Sequence, residues 1–352
     1  MNVDFLIVGQ GIAGTLLSWF LHRAGKSFVV IDNGAEPTAS KVAAGIINPV
    51  TGRRYHTTWK ADELLPHAEK TYAEIGAHFN KQYLVRKNII DFFPTPGARE
   101  VFVERVQEGH TYMDAYPDQN HFNRHIRYDF GCGEIRPAFV TNLPALLADW
   151  RQWLSDKNAL LEEDFVADDL QLEQEGVRYG ALRAQKILFC EGPAGTANPW
   201  FRLLPYALNK GEALLIECPD LPNTHIYKKG FLLAPLPVQG TFWAGSNYAW
   251  EGLNEGPTEA FRLRTVQLLE ATLQHPFRVL HHHAAVRPAT VERRPFVGLH
   301  PVHPQIGILN GTGSKGTSLA PYFAQQFVNH LLHDAPLTPE ADVRRFTRLL
   351  SK

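Results

Sequence analysis

The 352-residue chain is poor in sulfur, with three cysteines (Cys132, Cys190 and Cys218) and two methionines. No cysteine stands in a C-x-x-C or other metal-ligand spacing. Neither a thiolate metal site nor a disulfide framework is therefore expected, and a reducing, cytoplasmic setting is the expectation. The chain also lacks any apolar run of about 18 residues, so no membrane-spanning helix is expected. Its first residues lack the basic stretch of an export signal, and the apolar residues that follow carry a nucleotide motif, so this segment is expected to be retained. An excess of one charge is missing too: 35 Lys and Arg face 36 Asp and Glu, for a net charge of −1. That balance gives no global reason to expect a nucleic-acid partner. Low-complexity tracts are absent, and a hydrophobic content of 44% can bury a core, so a folded chain of two lobes is expected.

What is present begins with a strand, a turn and a helix. Phe5-Leu6-Ile7-Val8 is a continuous apolar run, as in a strand covered on both faces. Residues 12–24 have apolar positions at helical spacing, and Gly25 stands where a helix often ends. A second apolar strand, 28–31, ends in Asp32. The turn between the first strand and the helix, Gly9-Gln10-Gly11-Ile12-Ala13-Gly14, reads G-x-G-x-x-G, with Asp32 following Gly14 by 18 residues. This is the dinucleotide-binding pattern in its proper strand–turn–helix context. Gly9 allows the tight turn, Gly11 leaves room for a diphosphate, and Gly14 lets the helix pack close to the strand. The helix N-terminus offers N–H groups and a positive dipole end to the anion, and Asp32 can accept from ribose hydroxyls.

Further along, residues 33–60 are rich in small residues and read as a loop able to approach a ligand, with Ala43-Ala44-Gly45 and Thr51-Gly52 as its small clusters. Helices are expected over 62–82, 143–155, 258–274 and 318–332. Strands are expected at 89–93, 126–130, near 170–179, at 183–190, within 205–250, within 280–300 and at 306–310. The strand ending at Cys190 runs into Glu191-Gly192-Pro193-Ala194-Gly195, a second glycine turn. A third, Gly311-Thr312-Gly313-Ser314-Lys315-Gly316, lies between the strand 306–310 and the last long helix. The glycine pattern alone does not separate NAD from FAD. The extreme N-terminal place of the motif, the lack of a second copy and the turn at 311–316, suited to hold the far end of a long cofactor, point to FAD.

With these pieces in order, the chain resembles the D-amino-acid oxidase, glycine oxidase and sarcosine oxidase superfamily of flavoproteins. The resemblance is carried by the N-terminal βαβ unit, the loop TASKVAAGIINP, KILFCEGPAG, NKGEALLIE, FLLAPLPVQGTFWAGSN, VRPATVERRPFVG and ILNGTGSKGTSLAP. It implies an α/β chain, α+β overall, with a discontinuous Rossmann-like FAD-binding domain (1–80, 140–205 and 285–352). Interleaved with it is a mixed or antiparallel β-sheet substrate domain (81–139 and 206–284). It implies oxidation of a C–N bond of an amino acid or secondary amine by hydride transfer to flavin N5, giving an imine. Alignment of the C–H bond carries much of the rate in such chemistry, and no side-chain acid or base is strictly needed.

The candidate cofactor contacts are Gly9, Gly11, Ile12, Ala13, Gly14, Asp32, Asn33, Ser40, Ala44, Gly45, Val166, Gly192, Gly311, Gly313, Ser314, Lys315 and Gly316. Arg287 resembles the family's carboxylate-clamping arginine, and a guanidinium fork suits that group. In sarcosine oxidase this place holds a cysteine bonded to the flavin, so non-covalent FAD is expected here. Lys315 is a second catalytic candidate, through its charge near the flavin. Glycine oxidase has a further arginine where Ser314 stands and a tyrosine where Leu232 stands, which puts glycine as substrate in doubt. His281-His282-His283 cannot all ligate one metal, because neighbours on a strand point to opposite faces, so no metal is expected. Arg53 and Arg54 read as an exposed basic pair, Cys190 as core, and Trp243, Tyr248 and Trp250 as core or lid rather than a substrate cage. The partner expected is a small amine or amino acid. Two other readings are a flavoenzyme acting on a modified tRNA wobble uridine and a flavin-binding protein without amine oxidase activity.

Overall fold

The computed structural model describes residues 1–254 and 256–352. The chain forms two compact units: Met1–Lys41, Leu143–Asn209 and Val286–Lys352 make the first, and Val42–Asn142 with Lys210–Ala285 the second.

The first unit is built on one sheet whose parallel core runs Leu160–Leu161, Phe28–Ile31, Asn2–Val8, Leu182–Phe189 and Ile306–Asn310. The central strands are apolar along their length, as strands covered on both faces must be, and Leu6, Ile7, Val30, Ile187 and Leu188 are buried. Register places the functional edge. Val8 pairs with both Ile31 and Phe189, and Phe189 pairs with Ile308. The residues that follow (Gly9, Asp32, Cys190-Glu191 and, a little further on, Gly311) therefore leave the sheet at one edge, its carboxyl end. Helices Ile12–Arg23 and Gly316–His333 pack against each other. Helix Leu143–Asp156 packs against the first of them, with the Trp150 indole N–H donating to Ser18 Oγ at 2.8 Å.

The second unit carries a mixed eight-stranded sheet, in the order Arg278–Arg287, Asn209–Glu217, Thr241–Gly245, Leu232–Pro235, Ile226–Lys228, Ile89–Phe92, Cys132–Ile135 and Met113–Ala115. Leu214, Ile216, Leu233, Phe242 and Phe92 form one core with Leu269 of helix Glu259–Thr272 and with Leu273. A three-stranded sheet joins Ile46–Ile47, Phe139–Thr141 and Leu84–Arg86.

Several expectations are corrected. Segment 126–130 is not a strand: the Ile126 N–H bonds back to Phe122 in a turn, and only an isolated bridge to Leu273 remains. The strand near 170–179 is a hairpin of Leu170–Glu173 and Gly176–Tyr179. Residues 42–80, expected with the first lobe, cluster with the second, because Ile46 and Ile47 pair with Val140 and Phe139 and helix Ala61–Phe79 contacts strand Leu84–Arg86. Loop 33–60 contains a short helix, Ala39–Val42, and the hairpin Val50–Thr51 with His56–Thr57.

Candidate cofactor and substrate site

The three glycines of the first turn answer to different constraints. Gly9 has φ of +96°, and a Cβ there would lie 2.6 Å from the Cys190 carbonyl oxygen. A Cβ on Gly14 would lie 1.9 Å from the Gly9 oxygen. Both glycines are thus demanded by the protein's own backbone. Gly11 is not: a Cβ there would meet only Ser40 Oγ, at 3.2 Å. Ser40 Oγ accepts the N–H of Ile12 at 3.0 Å, and the helix start has no capping side chain of its own. An open cradle over Gly11, at the N-terminus of a twelve-residue helix with a hydroxyl beside it, fits a diphosphate.

Asp32 is held firmly at the end of its strand. One carboxylate oxygen accepts the Gln10 N–H at 2.7 Å. The other accepts Arg151 at 2.7 Å and the Gly34 N–H at 2.9 Å. A carboxylate offers about four lone-pair directions, so little capacity remains for ribose hydroxyls. Arg151 comes from helix Leu143–Asp156 and also grips Glu162 at 2.8 Å. Nothing near Asp32 in the sequence signals this arginine. Asn33 is committed to Asp164 at 2.5 Å, and the Val166 N–H to the Tyr179 hydroxyl at 3.1 Å.

The last glycine turn reaches the first. A Cβ on Gly316 would lie 3.3 Å from Ile12 Cγ2, so the two turns touch. Gly311 and Gly313 both have positive φ, and Gly313 donates its N–H to the Pro288 carbonyl at 3.1 Å, which brings the Arg287 segment alongside. Arg287 is half-buried, and its Nη1 donates to Asn209 Oδ1 at 2.8 Å. Asn209 is itself buried, so the guanidinium is fixed from one side. Burial lowers the Lys315 ammonium to about 8. Ser314 is exposed. Gly192 joins the same edge: its carbonyl accepts Asn310 Nδ2 at 2.9 Å.

Ala44 and Gly45 lie in the second unit. Gly45 needs no ligand to explain it, since a Cβ there would lie 2.0 Å from the Thr141 oxygen. His282 packs against Phe261 and lies 3.2 Å from Glu212, while His281 and His283 share the other face of the strand. Among the described residues no group of three His, Cys, Asp or Glu suits a metal. Tyr248 and Trp250 are not core: their rings stack on each other with 52% and 67% exposure. Arg53 and Arg54 are exposed and Cys190 is buried, as read from the sequence. Glu191, Asn198 and Tyr206 were not singled out by sequence. The only signal was a charged residue opening a glycine turn after an apolar strand.

These features can be set beside known proteins. The chain is 25% identical to the glycine oxidase of Pseudomonas putida over 372 residues, 97% of this chain and 99% of that one. Its fold is similar to the glycine oxidase of Geobacillus kaustophilus, with a TM-score of 0.78 at 16% identity, covering 96% of each chain. It is also similar to the iminodiacetate oxidase of Chelativorans sp. BNC1, with a TM-score of 0.77 at 16% identity, covering 98% of each. A family model described as FAD dependent oxidoreductase matches residues 4–329. An open diphosphate cradle at the carboxyl edge of a parallel sheet agrees with that match, and the chain belongs to the FAD-dependent oxidoreductase family.

Proposed function

We propose that this FAD-dependent oxidoreductase oxidises the C–N bond of a small amino acid or secondary amine, with the cofactor held non-covalently in the first unit. The observation that carries this reading is the meeting of two glycine turns with the Arg287 segment at one sheet edge, through Gly316 on Ile12 and Gly313 on Pro288. When bound, FAD supplies a hydride acceptor at N5. The chain's own part is to bind and align. Gly11, the helix start at Ile12 and Ser40 would hold the diphosphate, and Asp32, steadied by Arg151, would serve the first ribose.

Arg287 would take a substrate carboxylate in its guanidinium fork, pre-oriented by Asn209 so that little rotamer freedom is lost on binding. Arg287→Ala should weaken an amino-acid substrate by at least about 1.5 kcal/mol, roughly a tenfold rise in half-saturation, and leave FAD content unchanged. Steady-state kinetics with a carboxylate substrate and with its decarboxylated amine checks this. An equal loss on both substrates contradicts the clamp.

Lys315 places a positive charge at the start of helix Gly316–His333. Its lowered value keeps it charged below about pH 8 and neutral above. Lys315→Met should therefore lower the flavin midpoint potential by about 30 mV, which is roughly 1.4 kcal/mol for a two-electron couple. The gap from wild type should exist below that pH and close above it. A potential that is the same in both proteins at every pH removes Lys315 from the site.

A further inference from the structure

Glu191 follows the central strand Leu182–Phe189 and stands between two glycine turns. On one side, the Cys190 N–H donates to the Val8 carbonyl at 2.8 Å, and a Cβ on Gly9 would come within 3.4 Å of Glu191 Cα. On the other, Asn310, the last residue before the 311–316 turn, donates to the Gly192 carbonyl at 2.9 Å. The carboxyl is held by Asn198, whose Nδ2 donates to Oε2 at 2.8 Å.

Among the described residues, Asn198, Tyr206 and Cys190 bear on it. Asn198 and Asn310 are neutral. Tyr206 and Cys190 are pushed well above their ordinary values by burial, with Glu191 adding to both, so they too are uncharged at neutral pH. Burial raises the Glu191 carboxyl, and the Asn198 bond acts in the opposite sense. The Glu191 Cα lies beside the Gly9 turn that would hold the diphosphate, and like charges in one site favour protonation.

We propose that Glu191 is the proton-carrying residue of the cofactor site, so that FAD binds together with one proton taken from solvent onto its carboxyl. This rests on the reading of the first glycine turn as the FAD cradle. Burial already lifts the carboxyl to about 7 in the free protein, so the linkage shows above that pH. Below it the proton is present beforehand. Above it each rise of one pH unit should weaken FAD by up to about tenfold.

The test is FAD binding to deflavinated protein from about pH 6 to pH 9, for wild type and Glu191→Gln. Calorimetry at about pH 8.5 in buffers of different ionisation heat gives the proton count. Glutamine keeps the acceptor for Asn198 and cannot ionise. Wild type should take up close to one proton per FAD at high pH, and its dissociation constant should climb. Glu191→Gln should show a flat profile, binding FAD about tenfold tighter than wild type near pH 8. A variant that keeps the wild-type slope overturns the proposal, because another group then carries the proton. So does a variant that fails to hold FAD at any pH, because the anionic carboxylate is then itself a ligand. Tight, pH-independent binding by wild type overturns the proton linkage while leaving the cradle intact; no binding by wild type at any pH overturns both.

Discussion

Gly11→Val is expected to give a folded protein that purifies without FAD. At Gly11 the protein offers an added Cβ only Ser40 Oγ, at 3.2 Å, and a hydroxyl can turn away. The fold should therefore keep the melting temperature of deflavinated wild type, while the valine methyls fill the volume that a diphosphate needs against the helix N-terminus. Retained flavin should drop to background, a loss of at least about a hundredfold in affinity, or roughly 2.8 kcal/mol. Gly14→Ala provides the contrast. Its Cβ would fall 1.9 Å from the Gly9 oxygen, so the strand–helix packing itself must move and the melting temperature should fall with the flavin content. Flavin absorbance per protein, read beside thermal unfolding of the two variants, separates a lost ligand space from a lost fold.

Glu212→Ala should be among the most destabilising single changes in the second unit. Its side chain is 2% exposed and that of Lys210 is 3% exposed, with Nζ to Oε1 at 3.9 Å. The carboxylate accepts the Thr258 N–H at 2.6 Å, the Thr258 hydroxyl at 3.0 Å and Asn247 Nδ2 at 3.3 Å. Thr258 in turn caps helix Glu259–Thr272 by accepting the Phe261 N–H. Alanine removes the anion from a buried ammonium and loosens the helix start together. Breaking a buried pair in this way costs about 3–5 kcal/mol, and loss of a cap adds about 1 kcal/mol. Glu212→Gln retains an acceptor for Thr258 and should lose less. Urea unfolding with an unchanged slope and a lower midpoint is the expected result. A midpoint for Glu212→Ala within about 0.5 kcal/mol of wild type would show the cluster to be energetically idle.

The glycine turns were legible in sequence because their chemistry is local. A turn with positive φ at Gly9 and a helix that must approach its strand at Gly14 leave a fixed spacing. The last turn was legible for the same reason, being a strand, a glycine run and a helix in succession. What joined the turns was not local. The contact of Gly316 with Ile12 depends on strand register across Asn2–Val8, Leu182–Phe189 and Ile306–Asn310, which no short pattern records. Arg151 was hidden because its partner Asp32 lies 119 residues away, on another element. Gly45 shows a limit of such patterns: read as a ligand-facing glycine, it also has a reason within its own unit, the close approach of the Thr141 carbonyl. Of the three aromatics read as core or lid, Trp243 is buried, while Tyr248 and Trp250 are exposed, which excludes core for those two alone.

The most direct measurement is anaerobic mixing of the flavin-loaded protein with matched pairs of amino acid and α-hydroxy acid, together with simple secondary amines, while flavin absorbance is followed. The account predicts bleaching by an amine or amino acid, an imine-derived carbonyl as product, and no bleaching by the hydroxy acid with the same side chain. Bleaching by hydroxy acids alone, with every amine silent, would contradict it.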